Sequence, residues 1–137
     1  MAETMQFDLV SPERMLATVV VREVQVPGAE GDFTAMPGHA PFLSTLRPGI
    51  VRAVTETGEM AYVITGGFAE VSAEAVSLLA ERGIPEAEMT QEVLDTMLAD
   101  ARAARDAAEG EAADAATRRL SDLAMLGQQL GLSANAG

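Results

Sequence analysis

Cysteine is absent from the 137 residues, so neither a disulfide nor a thiolate-held metal can form. Tryptophan is absent too, and aromatics make up only 4%, which removes the stacking platforms used to hold single-stranded nucleic acid. Lysine does not occur. All nine basic residues are Arg, set against 21 acidic ones, for a net charge of −12. A chain this acidic gains little by neutralising phosphates, which argues against nucleic acid and anionic lipid as partners. One histidine, His39, argues against a histidine-based catalytic metal site. Long hydrophobic runs are missing as well: residues 17–21 are stopped by Arg22, and 75–80, interrupted by Ser77, by Glu81. Both fall far short of the ~20 residues that cross a bilayer, so no direct membrane insertion is expected. The first ten residues carry Glu3 and Asp8 and no basic cluster, so neither a secretory signal nor an Arg-rich transit peptide is expected. What is present is a hydrophobic content of 48%, too high for an acidic disordered tail.

The chain is written in two grammars. Up to about residue 84, β-branched and aromatic residues recur in short runs punctuated by Gly and Pro. Strands are expected at residues 5–10 and at 16–26, the latter ended by Pro27-Gly28. Two hairpins follow, one pairing 52–55 with 59–64 around Glu56-Thr57-Gly58, the other pairing 68–71 with 76–80 around residues 72–74. Gly66-Gly67 marks a tight turn or a close backbone approach. Turn signals at roughly 8–12-residue spacing point to an all-β sandwich or barrel. After Gly83-Ile84-Pro85 the composition becomes Ala, Glu, Asp, Arg, Leu and Met, mostly helix formers. Thr90 is the expected N-cap. Val93, Leu94, Met97, Leu98, Ala101, Ala104 and Ala108 form one apolar stripe. A second runs from Ala113 through Ala116, Leu120, Leu123 and Ala124 to Leu130, and Gly131 is a natural stop. The simplest reading is a helix hairpin turning near Gly110. Its Ala-rich face near the turn buries little area, at ~0.8 kcal/mol per CH₂, so the hairpin is expected to depend on docking elsewhere. The expected division is therefore α+β: residues 1–85 a β domain, residues 86–137 a helix hairpin.

Catalytic groups are hard to assemble. His39 lies in Pro37-Gly38-His39-Ala40-Pro41 and would need Asp32 or Glu30 as a partner to act as a base; a rigid proline turn holding a structural or interface histidine is the simpler account. No nucleophile elbow, zincin motif, phosphate-binding glycine pattern or calcium-loop spacing occurs. No catalytic residue, cofactor or metal is therefore assigned. Arg102, Arg105, Arg118 and Arg119 are the basic clusters of the hairpin. They suit either intrahelical pairs, such as Arg102 with Asp106 and Arg118 with Asp114, or docking onto an acidic partner.

Several segments together resemble a known family. Residues 26–41, V-P-G-A-E-G-D-F-T-A-M-P-G-H-A-P, are similar to the V-x-G-x-E-G-[ED] segment running into P-G-H-A-P of the epsilon subunit of bacterial F-type ATP synthase. Leu46-Arg47-Pro48-Gly49 resembles that family's L-[KR]-P-G turn, and Gly66-Gly67-Phe68-Ala69-Glu70-Val71 its G-G-[FI]-x-E-V hairpin. The resemblance implies a ten-stranded β-sandwich followed by an antiparallel helix hairpin. It implies a non-catalytic rotor subunit that links gamma to the c ring, peripheral to the cell inner membrane on its cytoplasmic side. By position, Glu30, Gly31 and Asp32 fall where the family meets the c ring, and His39 near gamma. Arg102, Arg105, Arg118 and Arg119 become the candidate contacts to alpha and beta catalytic subunits, should the hairpin inhibit hydrolysis.

One motif departs from the family. Many bacterial members read [IL]-D-x-x-R-A at the start of the first helix and bind ATP there. Here the stretch is Met89-Thr90-Gln91-Glu92-Val93-Leu94, without the Asp–Arg pair, so ATP binding is not expected. Two other readings stay open at this stage: a regulatory inhibitor acting chiefly through the hairpin, and a small-ligand-binding β domain with His39 in a pocket.

Overall fold

The computed structural model describes residues 3–134. Ten strands come first: β1 (Met5–Val10), β2 (Met15–Val21), β3 (Glu23–Val26), β4 (Phe33–Ala35), β5 (Phe42–Leu46), β6 (Gly49–Val54), β7 (Glu59–Ile64), β8 (Gly67–Val71), β9 (Ala75–Ala80) and β10 (Gly83–Pro85). A single 3-10 turn, Glu86–Glu88, leads to α1 (Gln91–Ala107) and α2 (Glu111–Gln129). Compact packing divides the chain into Met1–Ala87 and Glu88–Gly137.

The strands form two five-stranded sheets, ordered β2-β1-β9-β8-β5 and β10-β7-β6-β3-β4. Pairing is antiparallel except between β1 and β9, which run parallel. Alternation decides which side chains turn inward. In β1, Met5, Phe7 and Leu9 are buried while Gln6, Asp8 and Val10 are not. Val76 and Leu78 of β9, Ala69 and Val71 of β8, Val51 and Ala53 of β6, and Tyr62 and Ile64 of β7 complete the same core. Each fully buried Phe or Leu here contributes about 2 kcal/mol relative to exposure.

The run expected as one strand at 16–26 is two. It breaks at Arg22, and its halves lie in different sheets: β2 pairs with β1, β3 with β6. The Arg22 N–H donates to Val54 O at 2.6 Å, so the corner between sheets is itself hydrogen-bonded. Propensity cannot see such a corner, because a β-branched run favours extended backbone on either side of it. The two hairpins and the Gly66-Gly67 approach form where expected. A Cβ on Gly67 would run into the Leu79 carbonyl oxygen and lie 2.9 Å from Ala80 Cα, and its φ of +134° is one a side chain rarely adopts.

Burial of Tyr62 raises its phenol pKa above the ordinary value of 10.0. The unfolded chain then ionises first as pH rises, so unfolding releases a proton and stability is lost from about pH 10 upward. Urea midpoints of wild type and Tyr62→Phe between pH 9 and 11.5 check this: the wild-type decline should be steeper, and equal slopes would show that Tyr62 contributes nothing.

In the helical unit, Thr90 caps α1 as expected. Its Oγ1 accepts from the Val93 N–H at 3.2 Å. Leu94, Met97, Leu98 and Ala101 are buried, as are Leu120, Leu123, Ala124 and Leu126 of α2. The stripes do not reach the turn: Ala104 is exposed and Ala108, Ala113 and Ala116 only half-buried. Gly110 starts α2, and Gly131, at φ +75°, ends it in a Schellman turn, with Gly131 N–H to Gln128 O at 3.1 Å and Leu132 N–H to Gly127 O at 2.8 Å.

Candidate functional site: protein-docking surfaces

The acidic loop after β3 is laced to the turn after β5. Ala29 N–H donates to Thr45 O at 2.9 Å, and Arg47 N–H to Pro27 O at 3.0 Å. The Arg47 side chain then ties down both ends of the loop. Its Nε–H donates to Gly28 O at 3.2 Å, and its Nη2 is ion-paired with Asp32 Oδ1. Asp32 and Glu30, adjacent in the sequence motif, therefore have different fates. Asp32 spends its charge on Arg47, whereas the exposed Glu30 has no side-chain bond among the described residues. Gly31 lies exposed between them.

His39 sits on a separate turn closed by its own N–H to Met36 O at 3.1 Å and anchored by Gly38 N–H to Ala73 O at 2.9 Å. Its Nδ1 lies 2.6 Å from Ala40 O; a carbonyl only accepts, so Nδ1 carries the proton. Neither Asp32 nor Glu30 engages His39, and the geometry builds no acid–base pair. The half-buried ring instead tilts against Phe42, 6.1 Å between centroids, and Phe42 meets Phe33 edge-on at 5.2 Å. Three rings thus connect the acidic loop to the histidine turn. A shallow groove opens beside them, lined by Glu30, Asp32, Phe33, Phe42 and Leu43.

A second surface escaped the sequence. On the outer face of the first sheet, register sets Met15 opposite Val10, Val10 opposite Leu79, Leu79 opposite Phe68, and Phe68 opposite Thr45. Alternation points this row away from the core. Met15, Leu79 and Phe68 are 58%, 59% and 61% exposed, and nearby Leu43 75%. An apolar row crossing four of the five strands is the kind of patch that marks a protein interface. Beside it Asp8 accepts from Thr18 Oγ1 at 2.7 Å and Gln6 Nε2 at 3.1 Å. The sequence signal was available in β9, where Ser77 keeps the alternation but Leu79, on the same outward parity, does not.

In the hairpin, Arg105 Nε donates to Asp106 Oδ1 at 3.2 Å, so Asp106 pairs with its neighbour. Arg102 and Arg119 are half-buried, and Arg118 is exposed. Among the described residues no cluster of three or more His, Asp or Glu could hold a metal ion, and no helix is long and apolar enough to cross a membrane.

A sandwich presenting a laced acidic loop, a ring-braced histidine turn and an outward apolar row defines a protein-docking subunit. Comparison with known proteins places it more closely. The family described as "ATP synthase, Delta/Epsilon chain, beta-sandwich domain" matches residues 4–86. An ATP synthase epsilon chain of Rhodobacter capsulatus is 56% identical over 96% of this chain and 100% of its own length. One of Paracoccus denitrificans is 55% identical over 98% and 96%. Among solved structures, a chain in the Euglena gracilis mitochondrial ATP synthase OSCP/F1/c-ring assembly has a similar fold, with a TM-score of 0.74 at 24% identity, covering 94% of this chain and 82% of that one. The chain belongs to the ATP synthase delta/epsilon family, and the expected fold, a ten-stranded sandwich followed by a helix hairpin, is the one observed.

Proposed function

We propose that this chain is the epsilon subunit of an F-type ATP synthase, a non-catalytic part of the central stalk that turns with the rotor and couples proton flow to ATP synthesis. The observation that carries the docking role is the outward apolar row Met15–Val10–Leu79–Phe68, which suits a long-lived protein contact; gamma is its partner. The Glu30 loop meets the polar loops of the c ring, with His39 near gamma. Arg47 supports this division: by holding Asp32 it stiffens the loop and leaves Glu30 as the outward charge. A torque coupler needs stiff contacts of this kind, not reactive groups. The complex carries the subunit to the cytoplasmic face of the cell inner membrane.

The hairpin's share is a separate matter. Thr90 and Val93 stand where ATP-binding relatives have Asp and Arg, and Leu94 where they have Ala; here Thr90 caps the helix by accepting from the Val93 N–H, and Leu94 is buried. The hairpin therefore works without ATP. Arg118, with Arg102, Arg105 and Arg119, would supply any grip on acidic alpha and beta subunits. Adding residues 1–137 or 1–87 to membranes depleted of this subunit separates the roles. Both should restore proton pumping. Lower hydrolysis with the long form alone would assign inhibition to the hairpin, and failure of both forms would sink the rotor reading.

A further inference from the structure

We propose that residues 130–134 form a strap that locks the helix pair at its open end, with the Gln91 carboxamide as its fastener. The Schellman turn at Gly131 sends the chain back from α2 toward the first residue of α1. There Gln91 Oε1 accepts from Ser133 N–H at 2.8 Å, while Gln91 Nε2 donates to Ser133 O at 2.8 Å. The second Nε2 hydrogen goes to Asp95 Oδ1, also at 2.8 Å, which fixes the plane of the amide. Both amide hydrogens and the amide oxygen are used, and one side chain satisfies the N–H and the C=O of a residue 42 positions away. It does what a neighbouring strand would do.

Packing at the same end reinforces the lock. Gly127 is buried, and a Cβ there would lie 2.6 Å from Leu94 Cδ2 and 2.9 Å from Ala134 Cβ. Leu94 of α1 and Ala134 of the strap thus close over one bare patch of α2. At the other end of the pair Ala103, Ala104, Ala107, Ala112 and Ala115 are all exposed. The two helices are fastened where they enter and leave the unit, and the alanines near their turn are uncovered. Separating the end of α2 from the start of α1 breaks the Gln91–Ser133 pair. This device does not depend on the docking reading, since it lies wholly within residues 88–137 and is read on the chain alone.

Amide hydrogen exchange on the full chain tests it, with wild type compared to Gln91→Ala, Ser133→Pro and the double variant. Gln91→Ala should speed exchange at residues 126–132 by about ten- to a hundredfold, leaving the sandwich amides unchanged, because two net hydrogen bonds are lost. Ser133→Pro, which removes the donor without touching α1, should speed the same amides, and the double variant should add little. Unchanged exchange at 126–132 in Gln91→Ala would overturn the proposal. So would equal acceleration along both helices, or full additivity of the two changes.

Discussion

Replacing Phe68 by Ser and Leu79 by Thr together should weaken binding to the gamma subunit by about a hundredfold while leaving the sandwich folded. The two side chains are cross-strand neighbours in the outward row, and both are mostly exposed in the free chain. Truncating an exposed apolar side chain changes stability by about 0.5 kcal/mol or less. Truncating one that fills a desolvated interface costs about 1–2 kcal/mol, and two such losses compound to roughly two decades in Kd. The replacements are strand-compatible, so β8 and β9 keep their register. Calorimetric titration against gamma measures the loss, and thermal unfolding of the free chain gives the control. Unchanged affinity with unchanged unfolding would remove the apolar row from the interface. An equal change at Glu56 and Thr57, exposed on the opposite sheet's hairpin, should do nothing.

The second large effect is structural. Gly67→Ala should destabilise the sandwich by about 3–5 kcal/mol, lowering Tm by more than about 10 °C. Two costs combine. The backbone holds φ at +134°, and the new methyl group meets backbone atoms of Leu79 and Ala80, which cannot rotate away. Because β8 pairs with β9 through Gly67 opposite Ala80, relief requires parting the two strands that carry Phe68 and Leu79. Gly58→Ala is the contrast: nothing lies within 4 Å of its added Cβ, so it carries only the cost of a positive φ, +158°, and should lose distinctly less stability than Gly67→Ala. A small and equal Tm change in both variants would show that the sheet yields at Gly67 without cost.

What could be read in advance follows a physical line. Local signals were legible: the Thr90 cap, the Gly131 stop and the Glu56-Thr57-Gly58 hairpin depend only on residues a few positions apart. The split at Arg22 was not, since it depends on which sheet each half of the run joins. Asp32 looked like a free interface charge because its partner, Arg47, lies 15 residues on. The apolar row was hidden for the same reason on a larger scale. Met15, Val10, Phe68 and Leu79 come from four strands, and only register makes them neighbours. The hairpin's buried stripes are shorter than the sequence suggests because Ala at helical spacing reads as core whether or not anything covers it, as exposed Ala104 shows.

The parallel pairing of β1 with β9 has a mechanical consequence. These strands stand next to each other although one opens the sandwich and the other nearly closes it, with Gln6 opposite Ala75 through Val10 opposite Leu79. Tension applied to the leading end of β1 and the trailing end of β9 would pull the two strands lengthwise past each other. Their bonds run across that direction and must give way as a group, whereas an antiparallel hairpin loaded at its open end unzips one bond at a time. The sandwich thus joins its extremities with a shear joint, a geometry suited to a part that carries load while something else turns it.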